Sequence, residues 1–260
     1  MERKHEKYKR LIARCQALTP IPTAVAHPCD ESSLRGAVEA AQLGILQPIL
    51  VGPRARIEAV AAQFHLNISG YEIVDAPHSH AAADLAVQLA REGKGEMLMK
   101  GSLHTDELMG AVVRSGTGLR TERRISHAFI MDVPSQDRPI IVTDAAINIF
   151  PTLEDKMHIV QNAIDLARAL GMAQPKVAIL SAMETVNPKV QSTVEAAALG
   201  PDGTERPRRR LAEDADAVRR GEEVDGEVVE GLDLPLPPQG VGRLLAGAKD
   251  EAADDHGDDE

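Results

Sequence analysis

Short apolar runs recur at nearly even spacing along the first two-thirds of the chain, and this rhythm limits the fold more than any other feature. They are TAVAH from Thr23, PILVG from Pro48, YEIVD from Tyr71, EMLMK from Glu96, HAFIMDV from His127, PIIVTD from Pro139 and KVAILSA from Lys176. Each is rich in small and branched apolar residues, as strands covered on both faces are. Between most of them the apolar residues fall at helical spacing: Leu34, Val38 and Ala41; Ile57, Val60, Ala61 and Phe64; Ala82, Leu85, Ala86 and Leu89. Alternating strands and helices predict an α/β fold with a doubly wound sheet. The clearest helix spans about Leu153 to Leu170, with Thr152 placed to cap its start and Gly171 to end it. An opening helix from about Glu2 to Leu18 carries Tyr8, Leu11, Ile12 and Cys15 on one stripe and is expected to pack before the first strand. Only PSQDR separates HAFIMDV from PIIVTD, too short for a crossover helix, so those two strands should pair antiparallel.

The rhythm stops after Leu199. Residues 200–260 hold 18 of the 40 acidic residues and 8 of the 29 lysines and arginines, so the tail carries nearly all of the net charge of −11. None of the five Phe and Tyr residues lies there. Such a segment has too little apolar surface to offset the entropy of ordering it. The expected organisation is therefore a folded part over residues 1–199 and a disordered acidic tail over 200–260, with at most a weak helix from Leu211 to Arg220. The charge balance argues against a nucleic-acid partner, which calls for clustered Lys and Arg. Cys15 and Cys29 are too few for a disulfide framework and suit a reducing cytoplasm. No run approaches the roughly 18 apolar residues of a membrane span, so no membrane partner is expected.

In an open α/β sheet, ligands bind beyond the carboxyl ends of strands, where helix N-termini present free backbone N–H groups. The segments that follow strands therefore matter most. No GxxxxGK[ST] occurs and no GxGxxG follows a strand, so neither nucleotide hydrolysis nor dinucleotide binding has a motif. Lys100, Gly101 and Ser102 follow one strand and either hold an anion or, through Ser102 or Thr105, merely cap the helix beginning near Asp106. Arg120, Arg123 and Arg124 form a basic loop that is either a phosphate clamp or a solvated surface. Asp144 and Asn148 follow PIIVT; the carboxylate either orients a nucleophile or coordinates a metal, or closes an ordinary turn on its own backbone. His78 and His80 lack the spacing of a metal site, and no metal is expected.

The runs KGSLHTDELMGAVV, GLRTERRISHAFIMDVP, VTDAAINIFPTLEDK, IVQNAIDLARALG and PKVAILSAMETVNPKVQST, in that order, resemble the phosphate acetyl/butyryltransferase family. They are particularly similar to the transferase module that stands behind an enoyl-CoA hydratase domain in some bacterial proteins. The resemblance covers about Tyr8 to Leu199. It implies an αβα fold of the isocitrate/isopropylmalate dehydrogenase-like type, usually dimeric, that converts acetyl- or butyryl-CoA and phosphate to acyl phosphate and CoA without cofactor or metal. It places Arg120 on the phosphate, the Lys100, Gly101, Ser102 and Thr105 loop on the same cleft, and Asp144, Asn148 and Ser181 along its lining. It also implies that the Ser, Arg and Asp set assisting the CoA thiol lies in a C-terminal part that this chain replaces at Gly200, as a shifted reading frame or a degraded gene would produce. The sheet is then incomplete, and the chain is expected to be a weakly active or inactive transferase. The alternatives are a noncatalytic phosphate- or CoA-binding or assembly fragment of such an enzyme and an unrelated Rossmann-like small-molecule binder.

Overall fold

A computed structural model of the chain describes residues 6–199 apart from 182 and 184. The acidic tail, the boundary at Gly200 and the weak helix at 211–220 lie outside the described residues. These residues form two units that meet in sequence between Glu122 and Arg123.

The first unit runs α1 (Glu6–Gln16), β1 (Ile21–Ala26), α2 (Glu31–Gln42), β2 (Leu46–Gly52), α3 (Arg54–Gln63), β3 (Glu72–Asp75), α4 (Ser79–Arg91), β4 (Met97–Lys100) and α5 (Thr105–Val112). Its four strands are parallel in the order β3-β2-β1-β4. The two-residue period of a strand divides the core. Ala24 and Ala26 of β1 with Ile49 and Val51 of β2 meet α4 and α5 on one face. Val25 and Leu50 meet Leu34 and Ala37 of α2 and Ile57 and Ala61 of α3 on the other. Helices thus cover both faces, as the alternation predicts.

Several expectations need correction. Only β1 and β2 are buried as strands covered on both faces; β3 and β4 are four-residue edge strands whose side chains are half-buried or exposed, because each has a single neighbour. In α4 the stripe that enters the core is Ala82, Ala83, Ala86, Val87 and Ala90, while Leu85 and Leu89 pack at its margin. Small residues let this helix approach the Ala-rich face of β1 closely. None of the residues of α1 is buried: Tyr8 is exposed, and Leu11, Ile12 and Cys15 are only half-buried.

The second unit contains β5 (Ala128–Met131), β6 (Ile140–Thr143), α6 (Leu153–Ala169) and α7 (Gln191–Ala198). The expected antiparallel pair forms, with Phe129 opposite Val142 and Met131 opposite Ile140, as a two-stranded sheet of its own. Thr152 and Asp155 cap α6 reciprocally: the Thr hydroxyl accepts from the Asp155 N–H at 3.2 Å and the Asp155 carboxylate accepts from the Thr152 N–H at 3.0 Å. The α6 and α7 helices are joined by a largely buried ion pair, Lys156 to Glu195 at 2.5 Å. KVAILSA, expected as a strand, is irregular over residues 176–181. A strand needs a pairing edge, and among the described residues this run has none; Leu180 is exposed. No helix among the described residues is long and apolar enough to cross a membrane.

Candidate anion and active site

Strand order reverses at β1: the chain leaves it toward β2 on one side and returns as β4 on the other. The crevice beyond the adjoining ends of β1 and β4 is the topological switch point where open α/β sheets bind ligands. Here β1 leads into His27, Pro28, Cys29 and Asp30, and β4 into Gly101 and Ser102. The two loops are stitched together. Gly101 N–H donates to the Ala26 carbonyl at 2.8 Å and Ser102 N–H to the His27 carbonyl at 2.9 Å. The Ser102 hydroxyl donates to that same carbonyl at 2.9 Å and accepts from the Cys29 N–H at 3.1 Å. A Cβ at Gly101 would stand 2.4 Å from the Ala26 carbonyl oxygen, so only glycine permits this approach.

His27 turns the chain in the left-handed region (φ 55°) and its ring is buried. Asp30 caps α2, accepting from the Ser33 N–H at 2.8 Å. Hydrogen bonds from the Ser33 side chain and backbone hold the Asp30 carboxyl below the usual carboxylate range, helped by the charges of Lys100 and Arg56. Burial pushes the Cys29 thiol up, which disfavours the thiolate form that a nucleophile needs.

The capping alternative for Ser102 and Thr105 is not what the structure shows. The cap residue of α5 is His104, whose N–H is accepted by the Glu107 carboxylate at 2.9 Å. Thr105 is the first residue of α5, and Ser102 is spent on joining the two strand ends. His78 caps α4, accepting from the Ala81 N–H at 3.2 Å, and His80 pairs with Glu107 at 3.0 Å. Among the described residues no group of three or more His, Cys, Asp or Glu is arranged to hold a metal ion.

The arginine trio behaves as three different residues. The backbone leading to Arg120 is fastened, with Gly118 N–H donating to the Arg114 carbonyl at 2.9 Å and Leu119 N–H to the Val112 carbonyl at 2.7 Å. The exposed Arg120 guanidinium has no hydrogen-bond or ion-pair partner among the described residues. Arg123 and Arg124 belong to the second unit and are engaged: Arg123 with Asp165, Arg124 with Asn148 at 2.9 Å and Asp155 at 3.3 Å. As a clamp of three free cations, the loop therefore fails.

In the second unit, Asp144 is a hub. One carboxylate oxygen accepts from the N–H groups of His127 (3.1 Å), Ala146 (3.1 Å) and Ile147 (3.2 Å); the other accepts from the Asn148 backbone (2.8 Å) and side-chain amide. Partial burial by itself would raise this carboxyl, but the converging donors outweigh it and lower it to about 2. The turn alternative is the one seen: Asp144 closes the turn on its own backbone and holds Asn148, whose side-chain oxygen accepts from Arg124. Ser181 shares a hydrogen bond with Ser192 of α7 at 2.8 Å. The structure thus gathers Lys100, Gly101 and Ser102 at the switch point, and Asp144 with Asn148 in the second unit. Sequence reading missed His27 and Asp30, although both follow the TAVA run and the rule of looking past strand ends applies to them as well.

Residues 78–200 match the family model described as phosphate acetyl/butaryl transferase. The chain is 64% identical over 193 residues to a phosphate acetyltransferase of Rhizobium meliloti, an alignment covering 74% of this chain and 61% of that protein. It is 35% identical over 194 residues to a phosphate butyryltransferase of Clostridium acetobutylicum, covering 75% of this chain and 64% of the relative. Among solved structures, a phosphotransacetylase from Streptococcus pyogenes superposes with a TM-score of 0.62 at 18% identity, over 85% of this chain and 73% of that one, which speaks for the fold. A branched-chain phosphotransacylase from Enterococcus faecalis superposes with a TM-score of 0.56 at 25% identity, over 82% and 68%. The chain spans about three-fifths of the length of the curated relatives it matches. Over the part these matches span, the chain is similar to the phosphate acetyl/butyryltransferase family, a family of acyltransferases.

Proposed function

We propose that this chain supplies the phosphate side of a phosphate acyltransferase. The reaction passes an acetyl or butyryl group between CoA and inorganic phosphate: a phosphate oxygen forms a bond to the thioester carbonyl carbon, the carbon–sulfur bond breaks, and the phosphate proton ends on the departing thiol. Such a direct exchange between two bound substrates needs no metal or covalent intermediate, and its catalysis rests on positioning and charge stabilisation. Arg120 offers a bidentate fork to the phosphate oxygens, with Lys100 and the Gly101, Ser102 and Thr105 loop at the switch point as further anion-binding candidates; Asp144, Asn148 and Ser181 of the second unit are substrate-binding candidates by the family resemblance. The single observation that carries this reading is the open Arg120 guanidinium in a family whose reaction handles phosphate, while Arg123 is already neutralised.

Turnover by this chain alone is expected to be weak, because the aligned portion covers 61% of the Rhizobium meliloti relative. The reading also includes a homodimer and a cytoplasmic setting. The test combines the purified chain, CoA and acetyl or butyryl phosphate, with thioester formation followed in time, and calorimetric titration with inorganic phosphate. Arg120→Ala should weaken phosphate binding by about tenfold or more, the scale of a charge-assisted hydrogen bond, while Arg123→Ala leaves it unchanged. Equal binding by wild type and Arg120→Ala sinks the assignment.

One observation favours a second reading, an assembly fragment. Phe129, Met131, Ile140 and Val142 share one face of the β5–β6 pair and are each 42–49% exposed. An uncovered apolar face of this kind marks an interaction surface. Association of the chain into larger particles, abolished by Phe129→Ser with Val142→Thr, together with absent turnover, would support it.

A further inference from the structure

At the switch point one ring nitrogen is left without a task. His27 is 6% exposed. Its Nδ1 lies 3.0 Å from the Ser102 carbonyl oxygen, which can only accept, so Nδ1 carries the proton and donates. The 3.3 Å approach of the Ser102 hydroxyl to the same nitrogen does not compete, since that hydroxyl already donates to the His27 carbonyl at 2.9 Å. In the neutral imidazole, a protonated Nδ1 makes Nε2 an acceptor. Nε2 has no hydrogen bond within the described residues, yet it is not among the fully buried side-chain atoms that lack a partner. It therefore belongs to the small part of the ring that remains accessible, with a fixed lone pair.

The backbone around the ring is closely tied. The left-handed backbone at His27 directs its carbonyl onto three donors, the N–H of Cys29 and the N–H and hydroxyl of Ser102. Gly101 admits no side chain. Lys100 and Arg56 are near enough to the Asp30 carboxylate to help lower it, so cations stand beside the loop that carries His27. A site with positive local charge attracts an anion, but a lone pair aimed at it repels an anion that has no hydrogen to give.

We infer that His27 is a specificity-determining residue of the phosphate site, its Nε2 accepting a hydrogen bond from the P–OH of monohydrogen or dihydrogen phosphate and so excluding fully deprotonated oxyanions such as sulfate. The inference rests on the phosphate reading above and adds to it which form of the anion is bound. A site built to hydrogen-bond a hydroxyl rejects the analogue that lacks it, because the acceptor is then left facing an oxygen.

The test uses the full 260-residue chain and two probes, inorganic phosphate and sulfate, titrated at neutral pH. The diagnostic variant is His27→Asn. Asparagine tolerates a left-handed backbone and its amide N–H can replace Nδ1–H toward Ser102, but nothing replaces Nε2. Wild type should prefer phosphate over sulfate by about tenfold or more, the effect of one hydrogen bond to an ion, and His27→Asn should bind the two about equally. Lys100→Met should weaken both anions and keep the preference. If phosphate binds but wild type shows no preference, or His27→Asn retains it, this inference falls while the phosphate reading stands. If neither anion binds wild type, the phosphate reading falls and takes the inference with it. Should His27→Asn fail to fold, histidine-selective nitrogen-15 NMR on wild type decides: phosphate, and not sulfate, must shift the Nε2 resonance, and equal shifts or none overturn the assignment.

Discussion

Replacing Asp144 with Asn keeps the size of the side chain and removes half of its accepting capacity. The amide oxygen can still accept from His127, Ala146 and Ile147, but the new NH2 group then faces the backbone and side-chain N–H groups of Asn148, two donors against a donor. Asn148 loses its orientation, and with it the 2.9 Å bond from Arg124. The lowering of the carboxyl from 3.8 to about 2 would correspond to roughly 2 kcal/mol if taken whole. The group is only partly buried, and solvent screening reduces the contribution to about 1 kcal/mol. Two donors left in partial contact with water add a similar amount, so Asp144→Asn should cost about 1–2 kcal/mol at neutral pH. The sign with pH follows from the direction of the shift. A carboxyl held below its unfolded value stabilises the fold fully above about pH 4, and this stabilisation fades as pH falls toward about 2. The destabilisation by Asp144→Asn, measured by urea unfolding, should therefore shrink over that window. Carbon-13 NMR of the carboxyl, assigned by its loss in the variant, reads the titration directly. A midpoint near 3.8, or a variant penalty independent of pH, would refute the reasoning.

Two further outcomes test the packing that supports the sites. Gly101→Ala should lower stability by about 2–3 kcal/mol in urea unfolding, since its Cβ would meet two backbone carbonyl oxygens, at 2.4 and 2.6 Å, that no rotamer change can move. Lys156→Met should cost about 3 kcal/mol by stranding the buried Glu195 carboxylate with only the Gln191 amide at 2.6 Å, whereas Lys156→Met with Glu195→Leu should return to within about 1 kcal/mol of wild type; thermal midpoints of the three proteins check both statements.

Much of the architecture was legible because it is written in local period. The alternation of short apolar runs with helical stripes named the strands and helices of the first unit, and the five-residue gap of PSQDR named the β5–β6 pair. Thr152 and Gly171 marked the ends of α6, since caps are satisfied by near neighbours. The failures share one cause. Whether a strand is central or at an edge depends on its neighbours in space, so β3 and β4 read like β1 and β2 but are half covered. KVAILSA has the composition of a strand and no partner. In α4, alanine enters the core in place of the larger Leu85 and Leu89, because the facing residues of β1 are themselves small.

The sites divide in the same way. Lys100, Gly101 and Ser102 could be nominated from their place after a strand, and the arginine loop from its charge. That Arg124 is held by Asn148 and Asp155 while Arg120 stands open depends on residues 24 and 31 positions away in the chain, and charge alone does not distinguish the two.

By itself, then, the sequence determined most of the elements, their alternation and the family resemblance, because these depend on spacing and on runs of residues that survive as text. Only the tertiary structure decided that β1 and β4 lie side by side, which brings His27 against Ser102 across 75 residues and leaves the His27 Nε2 without a hydrogen bond among the described residues. Pairing of that range is selected by the burial of two whole sheet faces at once, a condition that no local stretch of the chain contains.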